Sequence, residues 1–540
     1  MSGRLWWKHG VVYQIYPRSF QDADGDGVGD LEGIRRRLDH LAWLGVDAVW
    51  LSPFQPSPMA DFGYDVADYC DVDPLFGTLA DFDRLLADAH ARGIRVIVDW
   101  VPNHTSDRHP WFRESRASRS GPRRDWYVWR DAKPGGAPPN NWVSVFGGPA
   151  WEPDPATGQH YLHSFLKEQP DLNWRHPAVV EAMHDVLRFW LDRGVDGFRI
   201  DVIHRIAKDP ELRDNPPAPA GGAGYGGQLH VHDENHPDVH GMIRAFRALL
   251  DRYGERMMVG EVYLFDPAEV AKYYGRGDEL HLAFNFSFLR SPWDAAAFRS
   301  EIERFESEVP PEGWPDVVLS NHDVPRHATR YDHPALGDAR ARTAALVLLT
   351  LRGTPFLYQG EEIGMRNTEV PVERMRDPIA RTLHPRLSRD GARTPMRWDA
   401  SLPACGFTFP DAGGRLAEPW LPLGPQPPRT DVAAQRAERT SLLWLYRDLL
   451  ALRRAHPALH RGDWRALAAP DGVLAYERRA AGEAAVARIA ANFTSLPARL
   501  DLGPGRGIAG LHSRPGAPAP DPGAPIALGP CEAAVVLVVP

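Results

Sequence analysis

The chain has 540 residues, of which 43% are hydrophobic and 25% charged, so it is too long for one hydrophobic core and has the composition of an ordinary globular protein of two or three domains. Its net charge is −9, with acids and bases mixed along the whole length, which excludes the basic stripe that a nucleic acid or an anionic membrane partner needs. The start, MSGRLWWKHG, has no apolar leader core, no apolar run is long enough to span a bilayer, and Cys70, Cys405 and Cys531 are too few and scattered for a disulfide framework; a cytoplasmic location is expected.

In chain order, short apolar runs alternate with segments of helical period, the signature of a parallel α/β architecture. VVYQIY reads as the first strand. Ile34, Leu38, Leu41 and Leu44 then form a helical stripe that stops at Gly45, and the strand AVWLS follows. Thr78 and Asp81 make a capping box for a helix whose stripe is Phe82, Leu85, Leu86 and Ala89; Gly93 ends it before RVIVDW. A third unit runs through Val180, Met183, Leu187, Trp190 and Leu191 to Gly194 and the strand GFRID. MMVGEV, LAFNF, DVVLSNHD and TPFLYQG complete eight strands, which predicts a (β/α)8 barrel over residues 1–103 and 174–456.

Three interruptions break the pattern. A Trp-, Pro- and Gly-rich stretch at 104–173 predicts an inserted loop-rich domain after strand three. RDNPPAPAGGAGYGG follows strand four and reads as a loop, having no periodicity to pack. A polar insertion at 361–440 follows strand eight. Beyond the helix around Leu442–Ala455, short alternating runs such as VLAYERR predict a C-terminal β-sandwich domain over 457–540.

In such a barrel, chemistry gathers at the C-terminal strand ends. Strand three ends Asp99…Asn103-His104, strand four Arg199-Ile200-Asp201, strand five in Glu261 and strand seven Asn321-His322-Asp323. Alternation along strand four points Arg199 and Asp201 inward together. A lone Asp at a strand end is more often a helix cap, and a lone His more often a structural one. Several carboxylates converging on one concavity are costlier than structure alone requires.

The strings DWVPNH, GFRIDVIHR, VGEVY and VLSNHD resemble the four signature regions of the α-amylase clan of glycoside hydrolases (family 13). QPDLN, VYQIYPRSF, DGDGVGDLEGI, ADFGYDVADY and ARTPMRWD are similar to its α-glucosidase and oligo-1,6-glucosidase branch, so the likeness covers almost the whole chain. Trp100 departs from the aliphatic residue usual in the first region. The resemblance implies a retaining enzyme with Asp201 as nucleophile, Glu261 as general acid/base and Asp323 as transition-state stabiliser. Arg199 is expected to hold Asp201 ionised, and burial to raise the pKa of Glu261. It further implies that His104 and His322 donate to sugar hydroxyls, that Asp61 and Arg393 close the pocket behind the non-reducing glucose, and that Tyr64 stacks while Phe146 and Gln169 line the wall. Val202, directly after Asp201, resembles the residue of α-1,6-cleaving members.

Asp22, Asp24, Asp26 and Asp30 alternate along a Gly-rich turn, supplying oxygen ligands for a hard cation. It is nearly an EF-hand, but Gly33 stands at the twelfth position in place of the required Glu. The resemblance implies one structural Ca2+ bound by these four and the Val28 carbonyl, and no organic cofactor. The expected partner is a short oligosaccharide, from which glucose is released by exo-action with some transglycosylation. A trehalose synthase, sucrose isomerase or glucosyltransferase on the same scaffold shares the three carboxylates. A non-enzymatic transporter-associated relative would have lost them and gained an anchor.

Overall fold

The computed structural model describes residues 4–410, 413–521 and 524–539. Met1–Gly3 and Pro540, the outermost residues of the barrel and C-terminal domains as the sequence bounds them, lie outside the described residues, as do 411–412 in the insertion and 522–523. Eight parallel strands form the barrel: β1 Val12–Ile15, β2 Ala48–Leu51, β3 Arg95–Trp100, β4 Gly197–Ile200, β5 Met257–Gly260, β6 Leu282–Ala283, β7 Asp316–Val318 and β8 Thr354–Tyr358. They pair in the order β7-β8-β1-β2-β3-β4-β5-β6. Between β6 and β7 there is no ladder among the described residues. The seam is bridged instead by the Asn285 N–H, which donates to Asp316 Oδ1 at 2.9 Å. That diversion ends β6 after two residues, where the sequence suggests the longer run LAFNF.

Alternation sorts the strand residues into two cores. Val12, Ala48, Trp50, Ile97, Met257, Val259, Val318 and Phe356 fill the barrel interior, while Tyr13, Ile15, Val49, Val96, Val98, Phe198 and Ile200 pack outward against the helices. Toward the C-terminal strand ends the inward positions turn polar: Gln14, Asp99 and Arg199, all buried. Trp100 points the other way, edge-on to Trp174 and Phe246, so its departure from an aliphatic residue is absorbed in the helix layer.

The local signals act as their chemistry dictates. Thr78 and Asp81 form a reciprocal capping box on the helix Leu79–Ala91. Gly45 takes a left-handed φ of 99° and caps Leu38–Leu44 through its N–H to Leu41. The stripe Ile34–Leu44 is two helices, not one. It breaks at Arg37, whose guanidinium lies 4.1 Å over the Trp398 ring and donates to Gln21 Oε1 at 2.6 Å.

Between β3 and β4 a small unit holds the helix Pro110–Ala117 and an antiparallel three-stranded sheet of Trp129–Asp131, Gln159–Leu162 and Trp151–Asp154. Phe112 stacks on Trp129 at 5.7 Å between ring centres and meets Tyr161 edge-on. Isolated bridges, His104 to Asp171 and Tyr127 to Leu172, tie this unit to the end of β3.

After the helix Leu442–Ala455 the chain forms a five-stranded antiparallel sheet. One face, with Leu474, Tyr476, Ile489, Val535 and Leu537, joins the barrel's outer core. The other is covered by Leu500, Ile526 and Leu528 of a two-stranded sheet. No helix among the described residues is long and apolar enough to cross a membrane.

Candidate active site

A cavity of about 600 Å³ opens at the C-terminal ends of the strands, lined by Asp61, Tyr64, His104, Phe146, Gln169, Asp201, Val202, Glu261, Asp323 and Arg389 among others. Behind it sits the Arg199 guanidinium, 2% exposed. Its Nη1 donates to Asp201 Oδ1 at 2.7 Å and to Asp99 Oδ1 at 3.1 Å, and its Nη2 lies 2.8 Å from Glu261 Oε2. β4 positions this group: Arg199 faces inward beside Asp99 of β3, the two being register partners. Burial pushes Asp201 well above the ordinary carboxylate range, with Arg199 opposing and Glu261 and Asp99 adding to the rise. Burial likewise lifts Asp99 to about 6 against the pull of Arg199. One guanidinium thus serves three carboxylates, and burial with its neighbouring acids opposes the charge on Asp201 that Arg199 favours.

Val202, next along, has φ 35° and ψ 44°, a left-handed conformation that β-branched residues avoid. It turns the Val202 N–H onto Glu261 Oε2 at 3.1 Å, linking the ends of β4 and β5. Its side chain faces the cavity.

Part of the cavity lining is a network of ion pairs. Arg389 Nη2 donates to Asp61 Oδ1 at 3.0 Å and to Asp377 Oδ1 at 2.8 Å, and its Nη1 reaches Asp323 Oδ1 at 3.0 Å. Arg393 donates to Asp323 Oδ1 at 2.9 Å and through Nε to the His322 carbonyl at 2.8 Å. The expected Asp61–Arg393 pair is thus not formed. Arg389 and Arg393 flank the tight turn Asp390–Ala392, and it is Arg389 that bonds Asp61. Burial works to raise the pKa of Asp323, but His322, Arg389 and Arg393 overcome it and hold the carboxyl well below the usual range. Asp61 is pushed up by burial to about 6, with Arg389 and Arg393 opposing.

Tyr64 donates to Asp99 Oδ2 at 3.2 Å, lies 2.7 Å from His322 Nε2 and stacks parallel to the His322 ring at 5.5 Å. His322 is fully buried and does not line the cavity. Gln14 occupies its Nδ1 at 2.8 Å, and Tyr64 and Asp323 share its Nε2, so without sugar its ring nitrogens are taken up by those side chains. Burial lowers its pKa to about 3 and that of His104 to about 4, keeping both neutral. His104 does face the cavity, its Nε2 shared by the Tyr64 carbonyl at 3.0 Å and Gln169 Nε2 at 3.1 Å. Gln169 also donates to Asp61 Oδ2 at 3.2 Å. Phe146 lies under the Arg389 guanidinium at 5.5 Å.

Sequence reasoning missed Arg389, although the string SRDGARTPM carries it four residues before Arg393. It also missed Arg205, Tyr225, Glu234, Tyr263, Phe265 and Arg290, which line the cavity too.

Away from the cavity, carboxylate oxygens of Asp22, Asp24 and Asp30 lie within 4.8 Å of one another. Asp26 stands outside that group, its Oδ1 accepting the Val28 N–H at 2.7 Å. Burial raises Asp30 to about 6, and none of the four forms an ion pair with a lysine or arginine among the described residues. All-oxygen donors without a counter-charge fit a hard cation.

The family model for the α-amylase catalytic domain matches residues 14–462. A probable alpha-glucosidase of Rhizobium meliloti (strain 1021) is 48% identical over 85% of this chain and 84% of its own length. An oligo-1,6-glucosidase of Parageobacillus thermoglucosidasius is 41% identical over 85% and 86%. Among solved structures, the alpha-glucosyl transfer enzyme XgtA superposes with a TM-score of 0.92 at 43% identity, over 99% of this chain and 100% of that one. The trehalulose synthase MutB of Pseudomonas mesoacidophila MX-45 does so with a TM-score of 0.89 at 36% identity, over the same shares. With three carboxylates on one buried guanidinium at the mouth of a (β/α)8 barrel, the chain belongs to the α-amylase family of glycoside hydrolases, in the branch that includes α-glucosidases and oligo-1,6-glucosidases.

Proposed function

We propose that this glycoside hydrolase is a retaining, exo-acting α-glucosidase that releases glucose from the non-reducing ends of short isomalto- and malto-oligosaccharides. The observation that carries the reading is the ion network of Asp61, Arg389 and Asp323 in the lining of the cavity that Asp201 and Glu261 also line, an arrangement suited to enclosing a terminal sugar.

In this reading Asp201 attacks the anomeric carbon while Glu261 gives its proton to the departing glycosidic oxygen. Glu261 then takes a proton from water, whose oxygen displaces Asp201, so two inversions return the α-anomer. Two features support these roles. Asp201 and Glu261 sit on adjacent nitrogens of one guanidinium, a closeness suited to double displacement. Arg199, bonded to both, orients the attacking carboxylate of Asp201 and counters its negative charge. Asp323, kept ionised by Arg389, Arg393 and His322, supports the oxocarbenium charge.

We assign a structural Ca2+ to Asp22, Asp24, Asp26, Asp30 and the Val28 carbonyl, where it would neutralise the crowded carboxylates of the first βα loop. Three free cysteines suit a reducing compartment, and the cytoplasm is the proposed location.

A second reading, glucosyl transfer or isomerisation, is favoured by the likeness to XgtA and MutB. Both start from the same glucosyl-enzyme and differ in what accepts the sugar. Product chromatography with maltose, isomaltose, sucrose and trehalose offered separately decides between them. Free glucose as the main early product supports hydrolysis, and isomerised disaccharide overturns it. Asp201→Ala is expected to abolish turnover with the fold intact; near-normal turnover would remove Asp201 from its role.

A further inference from the structure

Another part of the cavity lining comes from the Pro/Gly loop after β4, which holds itself in shape. His230 stacks on Tyr225 at 3.7 Å between ring centres, bonds Asp233 at 2.9 Å and meets the Tyr225 carbonyl at 2.9 Å. Asn215 donates to Asp233 at 2.9 Å. On this frame Tyr225 donates to Glu234 Oε2 at 2.9 Å, and Arg205, nearly buried, pairs with both. The second oxygen, Oε1, has no hydrogen bond among the described residues, and Glu234 lines the cavity. A carboxylate clamped by one oxygen and free at the other is a preorganised acceptor for sugar hydroxyls.

Its place is fixed by His204. That ring lies 3.9 Å from Glu234 Oε2 through Nε2 and 3.3 Å from the Glu261 carbonyl through Nδ1. Glu234 therefore stands one ring away from the backbone of Glu261, the residue that serves the departing group, and lines the same cavity. We propose that Glu234, held by Arg205 and Tyr225, binds hydroxyls of the leaving sugar and so favours saccharide over non-sugar leaving groups. The proposal rests on the α-glucosidase reading and adds a specificity-determining residue to it.

The test compares kcat/KM for 4-nitrophenyl α-glucopyranoside, whose leaving group carries no sugar hydroxyls, with kcat/KM for whichever of maltose and isomaltose the wild type prefers. In Glu234→Ala the disaccharide value is expected to fall about tenfold or more, with a raised KM, while the aryl glucoside value stays within about twofold, since a site built to bond a hydroxyl discriminates strongly against ligands lacking it. Glu234→Gln, of the same shape, keeps the loop packed and decides the matter if the alanine variant melts early; a severalfold fall on the disaccharide alone is expected. An equal fall on both substrates in Glu234→Gln would make Glu234 a loop clamp only, and no fall on either would leave it without a role; each overturns the proposal. A wild type that acts on no α-glucoside would instead overturn the α-glucosidase reading, before any variant is made.

Discussion

Arg389, which the sequence does not single out, holds as many carboxylates of the site as Arg199 does. It meets Asp61, Asp323 and Asp377 at once, so removing it leaves three buried or half-buried acids without their shared cation. Breaking one partner of a buried pair costs about 3–5 kcal/mol. Arg389→Ala is expected to lower stability by that order and to cut kcat/KM at least 100-fold; urea melts and steady-state kinetics check both. Arg393→Ala leaves the Asp61–Arg389 contact in place and should keep exo-action while still losing rate through Asp323. Val202 raises the question of linkage. Its side chain borders the cavity next to Asp201 and Glu261, and a branched wall there crowds an α-1,4-linked sugar more than one carried on the extra methylene of an α-1,6 link. Isomaltose should show the higher kcat/KM, and Val202→Thr should move the ratio toward maltose by an amount worth about 1–3 kcal/mol at most. A wild type that already favours maltose removes Val202 as the determinant.

At the scale of elements, strand ends and caps are readable because their causes are local: the period of the stripe, Thr78 with Asp81, Gly45 at a left-handed φ. What brings Asp61 to Arg389 is a separation of 328 residues, and nothing in either string encodes the other. The Pro/Gly loop is unreadable for a different reason. It has no apolar period, and its order comes from polar pairs, Arg205 with Glu234 and His230 with Asp233, that become visible only once folded. The acidic loop is intermediate: its spacing announces oxygen ligands, yet Asp26 turns to a neighbouring N–H. That loop also fastens the insertion after β8, with the Trp420 N–H donating to the Gly27 carbonyl at 3.0 Å and Asp22 bonded through its N–H to the Phe407 carbonyl. A cation held there should tie the first βα loop to the insertion. Chelation is expected to lower Tm by several degrees with little change in kcat measured below the melt. An unchanged Tm after removal of a demonstrated ion would refute the stabilising role.

Over the whole molecule, the buried carboxyls that take no part in the cavity set how stability responds to pH. Asp316 sits at the β6–β7 seam, with Oδ1 accepting the Asn285 N–H and Oδ2 without a hydrogen-bond partner among the described residues; burial pushes it up to about 8, with backbone N–H groups pulling the other way. Glu361, behind β8, accepts from Tyr446 at 3.1 Å and is pushed by burial to about 8. In the unfolded chain both titrate near the usual carboxylate value. Between that value and 8 the folded state therefore binds more protons than the unfolded one, and stability falls as pH rises through the interval. The histidines buried neutral at the site, His104 and His322, act in the opposite sense, but only below their ordinary value of about 6.5. From pH 6.5 to 8 the two acids thus act without that opposition, each lowering stability by up to about 1.4 kcal/mol per pH unit. Urea midpoints should decline across this window in the wild type. Asp316→Asn, which keeps the bond to Asn285 through the amide oxygen and cannot ionise, should be close to wild type at pH 6 and more stable than it at pH 8.5. A midpoint difference that does not change between those two pH values would mean that Asp316 ionises no more reluctantly in the fold than outside it, and that the β6–β7 seam is closed by the hydrogen bond alone.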